Sequence, residues 1–152
     1  SCVSHLPEDI DYKNVVGLGM NQIELEANSR LNSYLIHNLA VNPKLPFVNN
    51  SFDACTLTVS VQYVVHPISV FQEIRRVLRP NRPCIVSFSN RCFPTKAVSI
   101  WHQLSDMGHA QLVAHYFDGS GVFGPPETAD ISPNRGKTDP LIVVCAKSEN
   151  KV

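Results

Sequence analysis

Residues 45–92 read LPFVNNSFDACTLTVSVQYVVHPISVFQEIRRVLRPNRPCIVSFSNRC, and the fold is decided inside this run. Residues 52–61 (FDACTLTVSV) are apolar and β-branched, the composition of a strand buried in a sheet. His66-Pro67 then opens a turn, and proline suits the first turn of a helix, where its missing N–H would have no partner anyway. Val70, Phe71, Ile74, Val77 and Leu78 recur at helical spacing and predict a helix over 70–78. Its polar face carries Gln72, Glu73, Arg75, Arg76 and Arg79, and Glu73 stands three residues before Arg76, a favourable helical pair. Pro80-Asn81-Arg82-Pro83 stops the helix, and residues 84–89 (CIVSFS) form the next strand. A strand, a helix and a strand in succession build a parallel pair with a helical crossover.

Working upstream, residues 14–19 (NVVGLG) are a short strand ending in glycines. Asn21 with Glu24 three residues on has the form of a capping box, and predicts a helix over 22–28. Residues 34–39 (YLIHNL) are a second strand, after which Pro43 and Pro46 break the chain. Downstream, residues 96–105 and 110–117 have helical character, 118–126 is a Gly/Pro-rich loop, 128–131 a short strand, 133–139 a polar loop and 141–146 (LIVVCA) a final strand. The last two strands have no helix between them, so they predict an antiparallel hairpin at one edge of an otherwise parallel sheet. The class is α/β, in one domain over residues 1–152.

Composition narrows the function classes. Hydrophobic residues make up 43% of the chain and charged residues 17%, with Lys+Arg 13 balanced by Asp+Glu 13. No long-range field draws such a chain to nucleic acid. No apolar run approaches the roughly 18–20 residues that span a bilayer, and the opening SCVSHLPED lacks the basic and apolar regions of a signal peptide. The five cysteines, Cys2, Cys55, Cys84, Cys92 and Cys145, are odd in number and never spaced as C-x-x-C. They are read as free thiols in a reducing compartment, by default the cytoplasm.

Leu45-Pro46-Phe47, Ser51-Phe52-Asp53 and residues 71–80 (FQEIRRVLRP) together resemble the type 11 group of class I S-adenosylmethionine-dependent methyltransferases. In that group the turn after the helix is often Pro-Gly-Gly; Pro80-Asn81-Arg82-Pro83 lacks both glycines. The resemblance spans roughly residues 3–147, and VVGLGMNQIEL, TVSVQYV and SFSNRCFPTKAVSIW are similar to a narrower methyltransferase-like subgroup. It implies a Rossmann-like sheet of seven strands in the order 3-2-1-4-5-7-6, mostly parallel with an antiparallel C-terminal hairpin. Residues 14–18 would be strand two, 34–38 strand three, 52–61 strand four, 84–89 strand five and 141–146 strand seven. Strand one and its glycine-rich loop are expected before residue 1, with residues 1–7 as no more than their tail, so the domain is read as N-terminally truncated. Gly17-Leu18-Gly19 is no substitute, because it follows the wrong strand and Gln22 stands where a third glycine belongs.

The resemblance also implies S-adenosylmethionine as cofactor and places a site. Strand two normally ends in a carboxylate for the ribose hydroxyls, and Gly19 occupies that position, with Met20 and Asn21 beside it. Asn21 is equally a plain helix N-cap. Asn38 matches the residue near the adenine amine, or is a turn residue, and Leu39 packs on the ring. After strand four, Ser60 faces the cofactor, and Gln62 and Tyr63 the substrate, or else they cap the strand end. After strand five, Asn90, Arg91 and Lys96 lie on the substrate side, where the two cations meet an anionic group or are lone surface charges. Cys92 has no base paired with it, and His109 and His115, six apart with no third ligand, make no metal site. The implied function is methyl transfer to a small molecule, a reaction that rests on positioning, so no catalytic residue is singled out. The alternative is a catalytically inactive module of the same fold that binds a partner. Cofactor binding by residues 1–152 alone is expected to be weak. Without strand one, strand two is expected to close directly against strand four, with a homodimer lending a strand as the other remedy.

Overall fold

The computed structural model describes residues 5–149; Cys2 and most of the expected tail of strand one lie outside them. The described elements run β1 (Val16–Gly19), α1 (Gln22–Glu26), β2 (Ser33–Ile36), β3 (Cys55–Thr58), α2 (Pro67–Val77), β4 (Pro83–Phe88), α3 (Asp106–Ser120), β5 (Glu127–Asp130) and β6 (Ile142–Lys147). Two compact units divide them, one ending at Asn42 and the other beginning at Pro43.

In the first unit β1 and β2 are parallel, with Val16 opposite Ser33 and Gly19 opposite Ile36. Helix α1 joins them. At Gly17 a Cβ would come within 2.5 Å of Leu31 Cδ1, so the tip of that leucine would have to shift to admit a side chain. Asn21 caps α1 as expected, its side chain accepting from the Glu24 N–H at 3.4 Å. The helix is shorter than 22–28, because Ala27 already closes it onto Ile23 O and Leu25 O.

In the second unit the order is β3-β4-β6-β5. β3 is parallel to β4, whereas β6 is antiparallel to both β4 and β5. The expected antiparallel edge hairpin is therefore present, and the order reproduces 4-5-7-6. Along β4, Cys84, Val86 and Phe88 are buried while their neighbours are half-buried, and their partners Ala146, Val144 and Ile142 on β6 share that face. Helix α2 starts on Pro67 and buries Val70, Phe71, Ile74 and Val77, the stripe its periodicity marked. Phe71 meets Phe117 of α3 edge-on at 4.8 Å and Tyr116 at 5.9 Å. Each such side chain taken from water contributes about 1.5–3 kcal/mol.

The family phrases are structural in origin. Glu73 and Arg76 pair at 2.7 Å, Glu73 accepts from the Leu45 N–H, and Arg76 donates to the carbonyls of Leu45 and Phe47. Asp53 meets Arg79 at 2.5 Å and Arg82 at 3.3 Å. The turn that lacks Gly-Gly keeps the glycine conformation, since Asn81 takes φ 59° and asparagine tolerates the left-handed region.

Four further expectations are corrected. The strand expected over 52–61 is only Cys55–Thr58: Phe52 forms an isolated bridge to Leu78, and Val61–Tyr63 winds into a 3-10 turn. Residues 96–105 contain a 3-10 turn at Ser99–Gln103 rather than an α-helix. Helix α3 begins earlier than residue 110, at Asp106, because Ser105 caps it through the Gly108 N–H. Finally, β1 pairs with β2 and β3 with β4, and no ladder joins β1 to β3 among the described residues.

Candidate functional site

At the carboxyl end of β3 the chain changes direction at Val59, whose φ of 48° is a conformation β-branched side chains rarely take. The Val59 N–H still bonds to Ser87 O of the neighbouring strand at 2.8 Å, so the turn is anchored at the end of β4. Half-buried Ser60 leads into the 3-10 turn, its carbonyl accepting from the Tyr63 N–H at 3.1 Å. Gln62 then points inward and is fully buried.

These residues reach the segment after β4. The Gln62 amide nitrogen faces Arg91 O at a long 3.4 Å, and its backbone carbonyl accepts from the Val98 N–H at 2.9 Å. The Tyr63 hydroxyl accepts from the Phe93 N–H at 2.9 Å, with the two rings 6.4 Å apart. Lys96 Nζ lies 5.4 Å over the Phe93 ring, which is 67% exposed. Arg91 is not a lone cation: its Nε meets Asp139 Oδ2 at 2.8 Å. Asn90 is exposed beside it. Gln62, Tyr63, Arg91 and Lys96 are thus brought into one neighbourhood, at the strand ends where open α/β sheets receive ligands.

Two buried polar atoms there have no hydrogen-bond partner, Gln62 Oε1 and Trp101 Nε1. Trp101 lies between Phe88, edge-on at 5.3 Å, and the stacked ring of His109 at 4.0 Å. A buried orphan of this kind costs about 1–3 kcal/mol. Sequence reasoning placed Val59 and Phe93 in the segments after strands four and five without singling them out, and it missed Trp101 and Asp139. Trp101 and Phe93 lie within the phrase SFSNRCFPTKAVSIW, which was the available signal.

The first unit holds the positions implied for the cofactor. Gly19 ends β1, and its carbonyl accepts from the His37 N–H at 2.8 Å. A Cβ there would meet only Leu25, at 3.5 Å, so neither space nor backbone demands glycine. Met20 is exposed. The Asn21 amide is spent on α1, its oxygen on the Glu24 N–H and its nitrogen on Glu24 Oε1 at 3.0 Å. Exposed Asn38 turns back on itself, its side-chain oxygen accepting from the Ala40 N–H at 2.9 Å. Leu39 is half-buried. These residues do not fit the ribose of S-adenosylmethionine well: a diol wants a carboxylate with two free oxygens, and the implied position has no side chain.

Among the described residues no helix is long and apolar enough to cross a membrane. No curated protein matches the chain significantly. Solved structures similar to it include the 4+2 cyclase SpnF, with TM-score 0.64 and 15% identity over 90% of this chain and 67% of that one. A putative methyltransferase in complex with the Haloferax volcanii methyltransferase activator Trm112 matches with TM-score 0.64 and 15% identity over 90% and 72%. A geranyl diphosphate methyltransferase in complex with its cofactor matches with TM-score 0.58 and 15% identity over 89% and 68%. At such identities these establish the fold. The model of the methyltransferase domain family matches residues 3–86, more than half of the sequence. With a sheet in the matching order, the chain belongs to that family, the class I S-adenosylmethionine-dependent methyltransferases.

Proposed function

We propose that this chain is a methyltransferase body that receives a small molecule at the carboxyl ends of β3 and β4. The observation that carries this reading is the convergence of Gln62 and Tyr63 with the segment from Asn90 to Lys96. Around it stand an exposed aromatic face at Phe93, a cation at Lys96 and a buried acceptor at Gln62. An aromatic face with few placed polar groups suits a small, partly apolar ligand. The residues here bind and orient; no group is assigned to proton transfer.

Cofactor affinity of the chain as it stands is weak, because Gly19 withholds the ribose acceptor. Calorimetry with S-adenosylhomocysteine tests this on the unaltered chain and on Gly19→Asp. Restoring one charge-assisted hydrogen bond is worth about 1.5–3 kcal/mol, so Gly19→Asp strengthens binding about tenfold or more. Micromolar binding by the unaltered chain would overturn the weakness, and an unchanged affinity in Gly19→Asp would remove Gly19 from the ribose position.

The second reading is an inactive module that binds a protein partner. It is favoured by the committed amides of Asn21 and Asn38. The putative methyltransferase in complex with the Haloferax volcanii activator offers a parallel for partnership on this fold. If neither the chain nor Gly19→Asp binds the cofactor product, this reading replaces the first.

A further inference from the structure

Three cysteines stand on the sheet of the second unit: Cys55 opens β3, Cys84 is the second residue of β4 and Cys145 lies in β6. Cys55 is the direct ladder partner of Cys84. Partners in a parallel ladder project to the same face, and their strands lie about 4.8 Å apart. That spacing falls within the roughly 4.4–6.8 Å between Cα atoms that a disulfide spans. Cys145 stands opposite Ile85 and shares its face, the one opposite Cys84. Both Cys55 and Cys84 are free thiols, Cys55 half-buried and Cys84 fully buried.

We propose that Cys55 and Cys84 are a modifiable dithiol, which a small peroxide converts into a disulfide joining β3 to β4. Cys55 is the less buried of the two residues, so it is the one that meets peroxide first. Its thiolate attacks one peroxide oxygen, the O–O bond breaks and hydroxide leaves as water, giving a sulfenic acid on Cys55. The Cys84 sulfur then attacks the Cys55 sulfur. The S–O bond breaks, and the departing hydroxide takes the Cys84 proton as a second water. The two thiols supply two electrons and peroxide accepts them. The order of the steps follows from the surroundings: Cys84 is fully buried and Cys55 only half-buried, and the adjacent Cys55 thiol together with burial pushes the Cys84 thiol well up, so Cys84 resolves rather than initiates. The bond would fasten β3, whose ladder is with β4 alone among the described residues. It would do so at the end of the strand away from Val59 and Gln62, which leaves the site in place.

The test is mild hydrogen peroxide on the folded chain, read by intact mass and by peptide mapping. The expected product has lost the mass of two hydrogens, contains a peptide linking Cys55 to Cys84, and reverts with dithiothreitol. Cys55→Ser abolishes the link, Cys92→Ser leaves its yield unchanged, and oxidation in denaturing urea scatters the pairing. Cys55 passing to sulfinic acid without a link, Cys55 joined to another cysteine, or an unreactive Cys55 would each overturn the proposal. Because Cys84 is buried, the test rests on Cys55→Ser. Should that variant fail to fold, the map of the unaltered chain decides alone.

Discussion

Polar side chains around α2 and the site of the second unit, and those at the implied cofactor positions of the first, are used in opposite ways. In the second unit they reach far along the sequence: Glu73 to Leu45, Arg76 to Phe47, Tyr63 to Phe93, Gln62 to Arg91. In the first, the residues at the implied cofactor positions fold back locally, Asn21 onto Glu24 and Asn38 onto Ala40. Long-range bonds tie separate loops together and pre-organise a site. Local bonds only complete a cap or a turn. A residue can therefore stand at a family's binding position and still be consumed by its own backbone.

Arg76→Ala should have the largest effect that tests this contrast. It removes the pair with Glu73, two backbone bonds and a bond to Asn49 Oδ1 at 2.8 Å. It also leaves the half-buried Glu73 carboxylate without its cation. The expected loss is about 2–3 kcal/mol, read from urea denaturation. A change below about 0.5 kcal/mol would mean that the long-range clasp contributes little. Next comes Tyr63→Phe, which deprives the Phe93 N–H of its acceptor. About 1 kcal/mol is expected, with faster amide exchange at Phe93 as the specific sign. Unchanged exchange there would show that Tyr63 does not hold the segment after β4.

What was legible in the sequence follows the same division. The helix over 70–78 was readable because Val70, Phe71, Ile74 and Val77 face a core, and burial imposes a period. Strands β4 and β6 were readable as apolar runs between prolines and polar loops. The end of β3 was not, because Val59 is β-branched and argues for strand while tertiary contacts hold it at φ 48°. Residues 96–105 were misread for a related reason. Trp101 is buried by Phe88 and His109, partners distant in sequence, and not by a helical repeat. At the ends of β3 and β4 the resemblance named Gln62, Tyr63, Arg91 and Lys96 as candidates, but the Asp139 partner of Arg91 was not legible, since 48 residues separate them. In the first unit the N-cap at Asn21 was legible because capping is local.

Asn21→Ala probes the local side. Helix α1 has five residues and an exposed cap, so the cost sits at the lower end for N-caps, about 0.5 kcal/mol. Affinity for S-adenosylhomocysteine should be unaltered in the Gly19→Asp background. A marked fall in affinity without a fall in stability would assign Asn21 to the ribose after all.

Acid should separate the units by the smallest margin. The hydrogen bond from Arg76 holds the Glu73 carboxyl below its ordinary value; burial opposes it less strongly, and the Leu45 N–H adds a lesser lowering. A carboxyl lowered on folding stabilises the folded state at every pH above its unfolded value, near 4.3. That contribution fades as pH falls through the lower folded value, because the folded state then takes up the proton it had excluded. Glu26 of the first unit is also lowered, first by Gln22 and then by Tyr34, but it is fully exposed and its bonds compete with water. Stability followed by urea denaturation from about pH 6 to about pH 3 should thus fall with a component that Glu73→Gln removes and Glu26→Gln leaves nearly intact. If Glu26→Gln flattened the curve as much as Glu73→Gln, the exposed local bonds would be as strong as the clasp between Leu45 and α2. The contrast between the two units would then fail.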